Sequence, residues 1–405
     1  MSKSKNIAII GGGPSGLMAA QIIVQAGHRV TIYERMPSFG RKFMMAGRGG
    51  LNLTHSEPLE KFTTRYQEAS NWLAPHIESY PPKALQQWCE NLGQETFIGS
   101  SGRVFPRAMK ASPLLRAWLK KLEQLGVQYN LHHDWQGWDD ENLVFKNSQN
   151  QIVTTKPDAT FLALGGASWP NLGSNGAWTE ILAKCGVEIS ALRPANCGFI
   201  ANWSDYIANN FAGTAIKSVA ISHQGISCKG EIMVTKQGLE GGAIYALSAN
   251  LREYIKEKGS ATVHLDLRPE MSLFELAKKL QTRGKLSLGN YLRKAGFPPL
   301  TSALLHEAIL PDQLKNAAPD ILAGYLKTLP ITLTSTTDIA RAISTAGGIT
   351  RQSLDENFML KAKPGVFAAG EMLDWEAPTG GYLLQACFST ANSAAKGLLK
   401  FTERS

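Results

Sequence analysis

The run Asn6-Ile7-Ala8-Ile9-Ile10-Gly11-Gly12-Gly13-Pro14-Ser15-Gly16 decides how the rest of the chain is read. Five apolar or neutral residues without alternation fit a strand buried on both faces of a parallel sheet. The glycines that follow are spaced G-x-G-x-x-G. Gly11 permits a tight turn, Gly13 lets the backbone approach a pyrophosphate, and Gly16 lets helix and strand pack closely. From Gly16 onward Leu17, Ala20, Ile23 and Val24 recur at helical spacing until Gly27, and a second apolar strand, Val30 to Tyr33, ends at Glu34. That acid stands where a carboxylate accepts hydrogen bonds from ribose hydroxyls, while free N–H groups at the helix start hold phosphate charge. Strand, turn, helix and acid together make a βαβ unit for a dinucleotide.

Far downstream, Gly365-Val366-Phe367-Ala368-Ala369-Gly370-Glu371 reads as another buried strand ending in a Gly-acid pair. It is followed by Asp374 and then by Gly380-Gly381-Tyr382 opening a helix of small residues, Ala386 to Gly397. Such an element can set an acidic side chain near a ribityl chain and a helix start near the electron-rich edge of an isoalloxazine, so FAD is expected rather than NAD. No second G-x-G-x-x-G follows a strand pattern, so NAD(P)H, if it is the reductant, is expected to visit transiently.

Between these ends the texture varies. Residues 35 to 55 read as a long loop rich in Gly, Arg, Met and Asn; 59 to 125 are mostly helical; Val127 to Leu143 read as edge or hairpin β-structure; and Ala159 to Leu164 form another buried strand. Short strands separated by glycines occupy about 190 to 270, helical patterns fill 272 to 327, and the first texture returns near 336, with Gly347-Gly348 read as a turn. The expected organisation is a discontinuous cofactor domain, 1–190 with 336–405, interrupted by a strand-rich part, 191–270, and a helical part, 271–335.

Composition narrows the class. With 405 residues, 43% of them hydrophobic and 19% charged, the chain is globular, and no apolar run reaches the roughly 20 residues that span a bilayer. The basic start, Met1 to Lys5, lacks the apolar stretch of a signal peptide, so a cytoplasmic location is expected. Five scattered cysteines and eight histidines show no ligand spacing, and neither disulfides nor a metal is expected. The net charge of +9 makes an acidic partner plausible, with cations concentrated in Arg103 to Lys121 and Arg283 to Lys294; solvated helix faces are the alternative. The oligomeric state is not legible.

In Gly11 to Gly16, Gly40-Arg41-Lys42, Ala46 to His55, Gly102-Arg103-Val104-Phe105-Pro106, Ala163-Leu164-Gly165-Gly166, Thr345-Ala346-Gly347-Gly348, Gly370-Glu371-Met372-Leu373-Asp374 and Gly380-Gly381-Tyr382, the chain resembles the BaiN/YhiN-like flavoproteins of bacteria. The resemblance covers essentially the whole length. It implies an α/β fold, a Rossmann-like FAD-binding domain split by an inserted β-barrel plus helical domain. It also implies that Arg41 to His55 and Leu164 to Gly166 line the cofactor, with Lys42 and Arg48 offsetting phosphate charge, Asn52 meeting a polar edge of the ring, and Trp135 contacting adenine. The cofactor set is then Gly11, Gly13, Pro14, Ser15, Gly16, Glu34 and Arg35; Arg41, Lys42, Gly47, Arg48 and Asn52; Trp135, Gly165 and Gly166; and Gly370, Glu371, Asp374, Gly381, Tyr382 and Leu383.

One departure bears on chemistry. Many members carry Arg-Cys-Asn where this chain has Gly50-Leu51-Asn52; if that Cys is the proton donor in reductions, this chain needs another acid, and His55 and Cys387 are the candidates. The expected activity is an FAD-dependent reductase delivering hydride to an activated C=C bond. The resemblance offers an enone-like small molecule or a uracil of ribosomal RNA as substrate. An FAD-containing RNA- or ribosome-binding protein without turnover is the rival.

Overall fold

In the computed structural model, which describes residues 4–281, 283–315 and 317–404, the chain divides into two compact units. One comprises the residues up to Pro194 together with those from Ile339 onward; the other is Ala195–Asp338.

The first unit is built on a five-stranded parallel sheet in the order Val366–Ala368, Ala159–Leu162, Asn6–Ile10, Arg29–Glu34, Gln128–Leu131. Asn6–Ile10 takes the centre because Ile7 to Ile10 are apolar on both faces, and none of the four is more than 2% exposed. The helix Pro14–Gln25 packs along the long C-terminal helix Tyr382–Arg404. Ala19 and Ala20 on one and Ala386, Ala391, Ala394 and Ala395 on the other are fully buried, and side chains this small let two backbones approach closely. The chain's two ends are thereby joined in one core. Beyond the sheet edge, Asp134–Asp139, Asn142–Lys146 and Ile152–Thr155 form an antiparallel ribbon, as the pattern after Val127 predicts.

Two readings need correction. The stretch 35 to 55 is not a featureless loop: it holds the helix Arg41–Ala46 and the strand Thr54–His55, which pairs with Arg103–Pro106. Both are too short for a sequence period to register. Gly347-Gly348 is not a turn either, but the middle of the strand Ser344–Ile349. Gly347 and Gly348 have φ of +86° and +135°, and a side chain on either would run into the carbonyls of Ala191 or Met372. Those glycines serve close approach of neighbouring backbones, which looks in sequence like chain reversal.

The second unit is a seven-stranded antiparallel sheet ordered Leu329–Leu333, Ala261–Asp266, Thr214–His223, Ile226–Val234, Gly238–Glu240, Phe199–Ile200, Ser335–Thr336, with the helix Gly242–Lys258 packed on it. Its two outermost strands are separated in sequence by Thr334 alone. One residue spans only about 3.5 Å, so the two outermost strands follow one another end to end and the sheet curls round on itself as a barrel. Among the described residues, five helices between Leu273 and Lys327 form an excursion between the neighbouring strands Ala261–Asp266 and Leu329–Leu333. Among the described residues no helix is long and apolar enough to cross a membrane, and no cluster of three or more His, Cys, Asp or Glu could hold a metal.

Candidate functional site

A cleft opens in the first unit around the carboxyl ends of the central strands, where open α/β sheets bind ligands. Its floor is the glycine turn. Gly11 sits at φ +104° with the Ala163 carbonyl against it, so no larger residue fits. At Gly16 a Cβ would collide with the Gly11 carbonyl. At Gly13, by contrast, a Cβ would meet nothing within 4 Å. Gly13 is also the N-cap of Pro14–Gln25 and provides no side chain to satisfy that helix's first N–H groups. The turn thus has one face closed by packing and one left for an anion.

Glu34 lines the same cleft, its Oε2 accepting the Gly12 N–H at 2.8 Å and its Oε1 the Met36 N–H at 2.9 Å. Burial pushes its carboxyl up from the ordinary range while those backbone donors hold it down. Each oxygen keeps a lone pair for a further donor. Arg35 is tied to the Pro170 carbonyl at 3.1 Å. Around the rim, Trp135 Nε1, Ser174 Oγ and Arg41 Nε are buried polar atoms without a hydrogen-bond partner, and all three residues line the cleft. Orphaned buried donors cost free energy unless a ligand meets them. Their convergence on one cleft, with an uncapped helix start and a carboxylate at the end of the second strand, fits the ADP half of FAD. Asn52 Oδ1, expected to meet the ring, is a further buried atom without a partner, though Asn52 lies outside the cleft lining.

Lys42 and Glu371 also face the cleft and hold each other: Lys42 Nζ lies 2.8 Å from Glu371 Oε2 and 3.1 Å from Oε1, and donates to Ser168 Oγ. Glu371 is 7% exposed and takes the Thr345 N–H as well. The Lys42 charge therefore compensates a buried carboxylate first.

Other residues assigned from sequence stand behind the cleft. A side chain on Gly47 would strike Ala111, on Gly166 Thr345, on Gly370 Ser15, and on Gly381 the Thr54 backbone. Asp374 accepts from Ser190 Oγ, Leu383 packs against the core, and Arg48 is exposed. Gly165 does line the cleft, and its carbonyl receives Trp178 Nε1–H at 2.9 Å.

The two acid candidates are separated by environment. Cys387 is buried on the cleft wall and burial pushes its thiol up to about 12, so it holds its proton at neutral pH. His55 is not part of the lining. Its Nδ1 accepts the Glu57 N–H at 3.1 Å, leaving Nε2 to donate to the Ser101 carbonyl at 3.0 Å, and its ring stacks on Tyr382 with centroids 5.5 Å apart. Leu51 is fully buried.

Sequence reasoning missed two groups. Ser174, Asn175 and Trp178 line the cleft from the segment after Gly165-Gly166, where Ser174-Asn175-Gly176 was the signal available. Arg65 Nε and Nη2 grip Glu57 at 2.9 and 2.7 Å, and Tyr382 Oη donates to Glu57 Oε1 at 2.6 Å. The Arg65 guanidinium chiefly holds the Glu57 carboxyl down at about 2. Nothing in the spacing of Glu57, Arg65 and Tyr382 announces that cluster.

Comparison with known proteins bears on the family and the fold. The chain is 24% identical to a ribosomal RNA dihydrouridine synthase of Escherichia coli, over 96% of this chain and 97% of that protein. It is 22% identical to one of Haemophilus influenzae, over 98% of each. Among solved structures, a 3-ketosteroid delta1-dehydrogenase from Sterolibacterium denitrificans is similar in fold at a TM-score of 0.54, with 12% identity over 99% of this chain and all of that one. A flavocytochrome c3 fumarate reductase matches with a TM-score of 0.53 and 13% identity, covering 99% of this chain and 79% of that one. The family described as HI0933-like protein Rossmann domain matches residues 5–397, and the chain therefore belongs to that family of FAD-dependent oxidoreductases.

Proposed function

We propose that this chain reduces a uracil base of ribosomal RNA to dihydrouracil, with FAD held in the cleft described above and NAD(P)H visiting as reductant. The observation that carries this reading is likeness along the whole length, not in one domain, to two proteins named ribosomal RNA dihydrouridine synthases. The net charge of +9 supports a polyanionic substrate.

Saturating the C5–C6 bond of uracil adds a hydride to one carbon and a proton to the other. Bound FAD supplies the hydride chemistry. The chain's own residues have four tasks. The Gly11–Gly16 turn binds the pyrophosphate at the helix start, and Glu34 takes ribose hydroxyls on its free lone pairs. Trp135, Ser174 and Arg41 give their unsatisfied donors to the ligand. Cys387, which keeps its proton and faces the cleft, is favoured over His55 as the acid in the absence of a thiol at Leu51. Its high pKa makes it a slow acid, and proton transfer should weigh in the rate.

The reading is tested by reducing the purified flavoprotein anaerobically and mixing it with protein-free ribosomal RNA while following flavin absorbance. The RNA is then digested and assayed for dihydrouridine by mass spectrometry. Reoxidation with dihydrouridine formed is expected. Reoxidation by an enone panel and not by RNA would point to a small-molecule reductase instead, and RNA binding without reoxidation to a binding protein without turnover.

A further inference from the structure

Between Leu276 and His306 the chain carries Lys278, Lys279, Arg283, Lys285, Arg293 and Lys294 and not one Asp or Glu. Folding brings the two ends of this run together. Lys278 and Lys279 occupy the last turn of the helix Leu273–Leu280, and Arg293 and Lys294 the last turn of Leu288–Lys294. Tyr291 Oη from the second helix donates to the Gln281 carbonyl that ends the first, at 2.6 Å. Just past the second helix, the Gly296 carbonyl receives Arg268 Nη2, whose guanidinium lies over the Phe297 ring at 4.3 Å from its centroid. Lys279 Nζ reaches the same place, 3.9 Å from where a Cβ on Gly296 would stand.

All four cations of the two last turns are exposed, and among the described residues no acid pairs with Lys278, Lys279 or Lys294. One turn before Lys278 on its helix, Phe274 is 76% exposed. Residues four apart share a helix face. A bare aromatic ring beside a lysine offers a base a stacking platform and its phosphate a counter-charge. A cation near a helix C-terminus also complements the helix dipole, worth about 0.3–1 kcal/mol, but that role calls for no exposed Phe and leaves RNA affinity unmoved.

We propose that this helical excursion of the inserted unit is the docking surface for single-stranded RNA, with Lys278, Lys279, Arg293 and Lys294 on successive phosphates and Phe274 stacked on an unpaired base. The proposal rests on the reading of RNA as substrate and locates where the chain grips it.

The test is binding of a labelled, uridine-rich single-stranded oligonucleotide by the FAD-loaded full chain across a salt series. For K278Q/K279Q/R293Q/K294Q the slope of log affinity against log salt should become shallower by about 3, since each phosphate of a single strand that is no longer neutralised removes about 0.7. F274A should weaken binding several-fold with the slope unchanged. Melting temperature and flavin content check that each variant is folded; if the quadruple variant is not, K278Q/K279Q alone should lower the slope by about 1.4. An unchanged slope overturns the proposal. So does the loss appearing instead in R116Q/K120Q/K121Q, which removes the other basic stretch, or charge-dependent binding to anionic vesicles but not to RNA. The substrate reading fails separately: wild-type protein that binds through these residues yet forms no dihydrouridine in ribosomal RNA would refute the activity and leave the surface standing.

Discussion

The glycine turn at Gly11–Gly16 and the glycine-bearing elements after Gly365 look alike in sequence and differ in space. In the first, one glycine is left open: beside Gly13 the structure has room for a foreign group. In the second, the free space is already filled by the protein. Gly370 abuts Ser15, and Gly381, at φ +95°, has the Thr54 backbone 2.5 Å from where a Cβ would stand. The contrast separates a glycine with open space beside it from glycines kept small for neighbouring chain. Mutating the first should spare the fold and lose the cofactor; mutating the second should do the reverse first.

The largest loss of stability is expected for Gly381→Ala. It combines a disfavoured left-handed backbone with a clash against main chain that cannot swing away, and should cost about 4 kcal/mol in chemical denaturation. A cost below about 1 kcal/mol would show that the Thr54 strand yields. Lys42→Met should come next, at about 3 kcal/mol, because it strands the buried Glu371 carboxylate. Adding Glu371→Gln should recover much of that cost, a coupling a double-mutant cycle measures directly.

Acid should have a smaller effect. Glu57 titrates at about 2 in the fold against 4.5 ordinarily, so its contribution is complete above pH 4.5 and fades as pH falls toward 2. With Arg65 partly exposed, about 2 kcal/mol is expected in that window. Glu57→Gln should remove that pH dependence from the melting curve while leaving the neutral-pH flavin spectrum in place. The smallest stability change belongs to Gly13→Val. Its extended backbone accepts a branched residue, and the cofactor-free chain should lose only about 1 kcal/mol of helix capping. Yet the variant should purify without yellow colour. Normal FAD content in Gly13→Val would move the pyrophosphate away from this turn.

What was legible in the sequence follows from how local each signal is. Ile7 to Ile10, the glycine spacing and Glu34 lie within one βαβ unit, and their roles depend on neighbours close in the chain. The strand Val366–Ala368 could be read because a fully buried parallel strand is an unbroken apolar run. Ser344–Ile349 was obscured because its glycines answer to Ala191 and Met372, partners far away in sequence. Glu57, Arg65 and Tyr382 were illegible as a group for the same reason: the Tyr382 hydroxyl reaches a carboxylate 325 residues away. Cys387 and His55 shared one chemical case in sequence, and only burial distinguished the cleft-facing thiol from a histidine committed on both nitrogens. The short antiparallel strands of the second unit could be expected from its texture, but not that Thr334 alone would join its two outermost strands.

The order of strands in the parallel sheet also sets a timetable for synthesis. Chains emerge from the ribosome amino end first, and domains fold as units when they become available. All of Ala195–Asp338 precedes the edge strand Val366–Ala368 and the helix Tyr382–Arg404. The interrupting unit can therefore finish folding while the cofactor cleft still lacks Glu371 and Cys387, and while the alanine face of Pro14–Gln25 awaits the helix that covers it. A released chain truncated near residue 350 should accordingly hold a protease-resistant middle and an unguarded beginning, and flavin capture should be among the last events of its biogenesis.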